Sequence, residues 1–193
     1  MLEPEELNNW LSEHVRAATS TAEALSFFDS LEAVPLEMMA GLWKGAEIKT
    51  NHPLNGKLKN LGWFGKAFIT SDRVHPLVFK NHNEKLFSLN TKLIPSGLMK
   101  VFSTRNIEFL KPLIRKSSQV AKTKEPTARL RMTHFRGVAT TTMIYDFLPI
   151  NDVFRKIDQD TVMGLMDMRD MEEPFFFILK RQKSPGTFLE ELL

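Results

Sequence analysis

The chain contains no cysteine, which excludes disulfides, thiolate metal sites and a cysteine nucleophile. No apolar run approaches the roughly 18 residues that a membrane-spanning helix needs. The opening Met1-Leu2-Glu3-Pro4-Glu5-Glu6 is acidic and lacks the basic-then-apolar order of a secretory signal. These absences lead to the expectation of a soluble, cytoplasmic protein. Disordered, collagen-like and coiled-coil compositions are excluded as well. With 193 residues, 42% of them hydrophobic and 10% aromatic, the chain suits one domain, or one domain with a helical arm. A chain of this size can enclose a real core or a core with a cavity.

The net charge of +3 is unevenly spread. Residues 1–40 hold eight acids and one base, while residues 99–136 hold ten bases and two acids, and residues 137–193 return to an acidic balance. The basic block can meet an anionic partner, or it can neutralise the acidic N-terminal segment within the same molecule. Nucleic acid is not an expected partner, because the block lacks aromatic–basic interleaving and any groove-reading motif. Within 99–124, Ile107, Leu110, Leu113 and Ile114 alternate with Lys111, Arg115 and Lys116. That pattern is a short basic amphipathic helix, able to lie on an anionic membrane or to pack on the protein's own core. Pro112 interrupts it.

The first forty residues read as a helical arm. Leu7, Trp10, Leu11 and Val15 form one apolar stripe, and Ser20-Thr21-Ala22-Glu23 is a capping box that opens a second helix. Pro35 starts a short helical turn that ends at Gly41. From there the pattern is strand-like: 43–50, then a Gly/Pro-punctuated stretch at 52–66 with room for one short helix. A hairpin follows, with 77–79 and 86–89 flanking Asn81-His82-Asn83-Glu84. Residues 99–127 form a basic helical insertion. Strands at 128–135, 138–147, 152–158, 161–167 and 175–181 then form a tightly connected antiparallel meander. About eight strands close most economically as an up-and-down barrel, which leaves no unpaired edge. The expected fold is therefore mainly β (α+β): one antiparallel barrel over 41–182, N-terminal helices packed outside, and a loose tail at 183–193.

Six of the ten methionines fall in the meander. Methionine lines adaptable apolar surfaces and also fills irregular cores, and an eight-stranded barrel has room for one small ligand. Phe175, Phe176 and Phe177 load both faces of the last strand with rings, as expected where both sides are covered.

Gly41-Leu42-Trp43-Lys44-Gly45 stands where the arm meets the first strand. This G-x-W element resembles the lipocalin and wider calycin pattern, in which the tryptophan plugs the closed end of the barrel. Further along come Gly62-Trp63-Phe64-Gly65-Lys66, Val74-His75-Pro76-Leu77 and Ala128-Arg129-Leu130-Arg131. Phe135-Arg136-Gly137, Thr142 to Ile150, Phe154 to Asp158, Asp160 to Asp167 and Pro174 to Phe177 follow in order. Together they resemble the GXWXG family, a GXWXG domain followed by a C-terminal domain of unknown function, over about residues 20–182. The resemblance implies a calycin-like barrel and names no reaction.

No metal-ligand spacing links His14, His52, His75, His82 and His134, so no metal and no cofactor are expected. No phosphate loop, nucleophile elbow or triad signature is present. The expected partner is a small hydrophobic molecule, a fatty acid or other lipid, including an anionic one. Trp43, Met132, His134, Arg136, Met143, Tyr145, Arg155, Met163 and Phe176 are its expected contacts, with an arginine meeting the head group. The alternative is an enzyme acting on a hydrophobic substrate in the same cavity through Tyr145, Asp146 and a histidine.

Overall fold

A computed structural model describes residue 10 and residues 17–81, 83–94, 122–184 and 187–193. The expected first helix through Leu7, Leu11 and Val15, the basic stripe at 107–116 and His82 lie outside the described residues. Helix α1 (Thr21–Ser30) starts at the anticipated capping box: Glu23 N donates to Ser20 Oγ at 3.1 Å and Ser20 N donates to Glu23 Oε2 at 3.0 Å. A two-residue strand β1 (Glu32–Ala33) and a 3-10 turn at Leu36–Met39 lead into β2 (Gly41–Glu47). Then come α2 (Lys57–Asn60), β3 (Trp63–Thr70), β4 (Arg73–Lys80) and β5 (Leu86–Ser88). The meander is β6 (Ala128–Phe135), β7 (Val138–Tyr145), β8 (Ile150–Asp158), β9 (Thr161–Met168) and β10 (Phe175–Arg181), followed by α3 (Phe188–Leu192).

Eight strands close into an antiparallel barrel in the order β2-β3-β4-β6-β7-β8-β9-β10, and β10 returns to β2. Two seams are thin. β4 and β6 share a single bridged pair, Val74 with Ala128, and β5 extends the free end of β4. β7 separates from β8 beyond Thr142, and β1 occupies the gap beside Lys156 and Arg155. Val34 ties that gap shut by accepting from Thr141 N at 3.0 Å and donating to Thr140 Oγ1 at 2.9 Å.

Alternation along the strands sets two layers. Phe175, Phe177 and Leu179 of β10 point into the barrel with Met166 of β9 and Phe154 of β8. Phe176, Ile178, Met163, Leu165 and Val153 point the other way and meet Ala24, Phe27 and Phe28 of α1.

The barrel is plugged at one end by Trp43, whose side chain is fully buried and whose Nε1 donates to Met39 O at 2.8 Å. Arg181 lays its guanidinium over the indole at 4.3 Å and donates Nε to Asp160 Oδ1 at 2.9 Å. Its remaining nitrogens donate to the carbonyls of Met38 and Ala40. The cation thus covers the ring and ties β10 to the turn that precedes β2.

Two elements differ from the sequence reading. Residues 63–70 form a full strand, although Gly62, Gly65 and Lys66 read as loop. Gly65 has φ +152, and a Cβ there would lie 2.0 Å from Trp43 O, so only glycine lets β3 press this closely on β2. Pro76 within β4 falls at a register shift, where a missing N–H is tolerated. The chain end is also not a loose tail: α3 buries Phe188 and Leu192 against Leu42, Ala67 and Val78, and Arg73 Nη2 donates to Leu192 O at 2.9 Å. Phe188, Leu189 and Leu192 share one helical face, which supplies the apolar stripe that the docking needs.

Gly65→Ala is expected to cost about 3 kcal/mol or more in chemical denaturation, because backbone rather than a movable side chain blocks the new methyl. Gly56→Ala, also at positive φ but with open space around it, is the control and is expected to cost about 1–2 kcal/mol.

Candidate functional site

At the end opposite Trp43 the barrel holds a cavity of about 60 Å³. Its walls are Leu77 and Phe79 of β4, Met166 and Met168 of β9, Phe175 and Phe177 of β10, and Trp63 of β3. Leu54, Leu58, Ile94 and Leu148 enclose it from the loops and from α2. Trp63 can reach the lumen because Gly45 opposite it has no side chain; a Cβ at Gly45 would lie 2.3 Å from the indole.

Among the described residues, three polar side chains break this apolar lining: Lys66 of β3, Tyr145 of β7 and Asp152 of β8. β3 and β8 lie on opposite sides of the eight-strand circuit, so the pair between them crosses the lumen. Lys66 Nζ stands 2.7 Å from Asp152 Oδ2, and the two side chains are only 3% and 1% exposed. Nζ also donates to Pro76 O at 3.1 Å and to Tyr145 Oη at 3.4 Å. The ammonium sits 5.0 Å from the Phe177 ring centre and 5.8 Å from that of Trp63, close enough for cation–π attraction. Both Asp152 oxygens are buried without a hydrogen-bond partner; Oδ2 is held by the ion pair with Lys66, and Oδ1 has no contact of that kind.

Burial pushes the Asp152 carboxyl above the ordinary aspartate range, and the Lys66 charge opposes that rise. Burial first, and then the Asp152 charge, push the Tyr145 phenol well above its usual value. Tyr145 therefore keeps its proton at neutral pH and is a hydrogen-bond donor. The node offers one neutral donor and one carboxylate acceptor inside an apolar chamber.

Two histidines are buried nearby. His75 shares a 2.9 Å hydrogen bond between Nδ1 and Ser88 Oγ, and His52 Nδ1 accepts from Leu54 N at 3.1 Å while its ring packs on Phe175. Burial lowers both to about 4. Among the described residues no group of three or more histidines and acids is placed to hold a metal ion.

Of the residues expected to contact a ligand, Tyr145 lines the cavity. Trp43 lies at the closed end and Met143 in the same core between the ends. Met163 and Phe176 face outward under α1. Arg155 is buried outside the lumen, 5.3 Å from the Phe28 ring, and donates to Phe135 O. Arg136 sits at the surface and grips Asp29 of α1 through Nε at 2.8 Å and Nη2 at 2.6 Å. Met132 is 46% exposed, and His134 is exposed. Asp146 pairs with Arg129 outside the cavity, so Tyr145, Asp146 and a histidine are not assembled into one site. Sequence reasoning passed over Lys66 and Asp152. Their signal was a charge at an inward strand position: Asp152 falls between Ile150 and Phe154 in strict alternation, and both of those are core residues.

The fold and cavity define a closed eight-stranded antiparallel barrel with one plugged end and one apolar chamber. Residues 26–83 match the model described as GXWXG protein, and residues 126–181 match a domain of unknown function, DUF4334. The chain belongs to the GXWXG family, with that C-terminal domain following the GXWXG segment. A crystal structure of a protein from Thermomonospora curvata is similar over 94% of this chain and 100% of its own, with 25% identity and a TM-score of 0.69. Comparison with curated proteins finds no match.

Two outcomes follow. Lys66→Met alone leaves a buried uncompensated carboxylate and is expected to cost about 3–5 kcal/mol, whereas Lys66→Met with Asp152→Leu recovers most of that loss. Denaturant unfolding of the two variants reads the difference. The second concerns pH. Between the unfolded histidine value near 6.5 and the folded value of about 4, the unfolded chain binds more protons. Stability is thus expected to fall as pH drops through that window, by up to about 1.4 kcal/mol per pH unit for each histidine. His75→Gln is expected to halve the slope; an unchanged slope would contradict the assignment.

Proposed function

We propose that the protein binds a small hydrophobic molecule of the lipid class in the cavity at the loop-covered end of the barrel. The observation that carries this is the composition of that cavity: aliphatic and aromatic walls around one polar node. Burying a ligand's apolar surface there gains roughly 25 cal/mol per Å², and the node fixes its orientation, as the few polar groups of ligand pockets do. The contacts are Tyr145 and Asp152 at the head group, both held by Lys66, and Trp63, Phe79, Met166 and Phe177 along the body. Among the described residues no helix is long and apolar enough to cross a membrane.

The 60 Å³ space is closed down; an engineered apolar cavity that takes benzene measures about 150 Å³. A ligand larger than a few heavy atoms enters by displacing Leu54, Ile94 and Leu148 of the loops and Leu58 of the short helix α2. Those are the residues that loop motion can move without opening the barrel.

Native mass spectrometry of the purified protein, followed by organic extraction, tests the reading. The expected result is an added mass that leaves into the organic phase, and its loss in Met166→Trp, which fills the chamber. A bare mass, with no response of Trp63 fluorescence to any apolar probe, would contradict it.

A further inference from the structure

The polar node also selects among ligands, and this step rests on the binding function proposed above. The Lys66 ammonium donates to Pro76 O at 3.1 Å and to Tyr145 Oη at 3.4 Å, and its charge is paired with Asp152 Oδ2 at 2.7 Å. Lysine has three donors and no acceptor; with two of them in hydrogen bonds and its charge turned to Asp152, Lys66 is committed within the node. Two valences remain. The Tyr145 hydroxyl accepts from Lys66, but among the described residues its own proton has no acceptor. Asp152 Oδ1 is buried, belongs to a cavity-lining residue and has no donor. One free donor and one free acceptor therefore face the chamber from β7 and β8.

Among the described residues that line the cavity, the charge is already balanced by Lys66 and Asp152. A carboxylate head group would add a net charge to an apolar space and bring acceptor oxygens against the unpartnered Asp152 Oδ1. Burying a charge without its own counter-ion is costly. An ammonium head group would meet Lys66. A neutral hydroxyl satisfies both free valences at once: its oxygen accepts from the Tyr145 phenol, and its proton goes to Asp152 Oδ1. Filling a buried acceptor that is otherwise unpaired gains more than an exposed hydrogen bond would.

We propose that the cavity is specific for uncharged apolar alcohols, with the ligand hydroxyl bridging Tyr145 Oη and Asp152 Oδ1, and that it discriminates against fatty-acid anions.

Matched n-alkyl probes from butyl to octyl, each as the alcohol, the methyl ether and the carboxylate, separate the possibilities. Binding to the full chain is read by calorimetry and by Trp63 fluorescence at neutral pH. The alcohol is expected to bind tightest, the ether about tenfold weaker because it cannot donate to Asp152, and the carboxylate weakest. Tyr145→Phe keeps the ring and removes the donor, and is expected to weaken alcohol binding about tenfold. A carboxylate that binds as tightly as its alcohol, or an ether equal to the alcohol, overturns the proposal while leaving apolar binding intact. If none of the probes binds, the proposed function itself fails, and the alcohol specificity falls with it.

Discussion

The ion pair between Lys66 and Asp152 is the constraint around which this barrel is organised. It joins β3 to β8, strands on opposite sides of the circuit, so it acts as a strut across the lumen rather than a link between neighbours. Desolvating both charges is expensive, and such a pair is poor evidence for stability as such. It endures because its surroundings supply the missing interactions: a backbone carbonyl, a phenol oxygen and the π-faces of Trp63 and Phe177. A pair with so many fixed partners has one geometry. The strands that carry it are held in one register, and a slip of one residue would turn both charges outward.

The two ends of the barrel follow from what lies on either side of this strut. Toward Trp43, the chain spends its cations on closure: Arg181 covers the indole and satisfies carbonyls that the turn before β2 leaves free. Toward α2 the cover is aliphatic instead, formed among the described residues by Leu54, Leu58, Ile94 and Leu148. The strands are continuous and well paired over most of the circuit but thin at the β4–β6 seam, where one bridged pair joins them. Closed end, polar strut and loop-covered chamber thus lie in sequence along one axis.

Much of this architecture is legible in the chain itself. The capping box at Ser20, the short helical turn after Pro35, the meander from Ala128 to Arg181 and the plug at Trp43 all follow from local chemistry, and each has a signal only a few residues long. Strand β3 was obscured because its glycine and lysine carry loop-like propensities, whereas their reasons for being there are a backbone contact with β2 and a charge on β8. The docked end of the chain was obscured because its stripe is a single turn or so. The site was partly legible: Tyr145 was readable from its place near a strand end. Lys66 and Asp152 acquire meaning only as a pair, and their separation in sequence hides that pairing. Arg136 and Arg155 read as head-group ligands, yet they bind α1 through Asp29 and Phe28, because Arg136 lies in the β6–β7 turn and Arg155 faces outward from β8.

The strut itself can be observed directly. Heteronuclear NMR of lysine ammonium groups distinguishes a buried, ion-paired –NH₃⁺ from one exchanging with water. The account predicts a resolved Lys66 ammonium signal whose protons exchange far more slowly than those of the surface lysines and which broadens or shifts in Asp152→Asn. A Lys66 ammonium that exchanges as fast as the exposed lysines would show the charge open to solvent, and the organisation described here would be wrong.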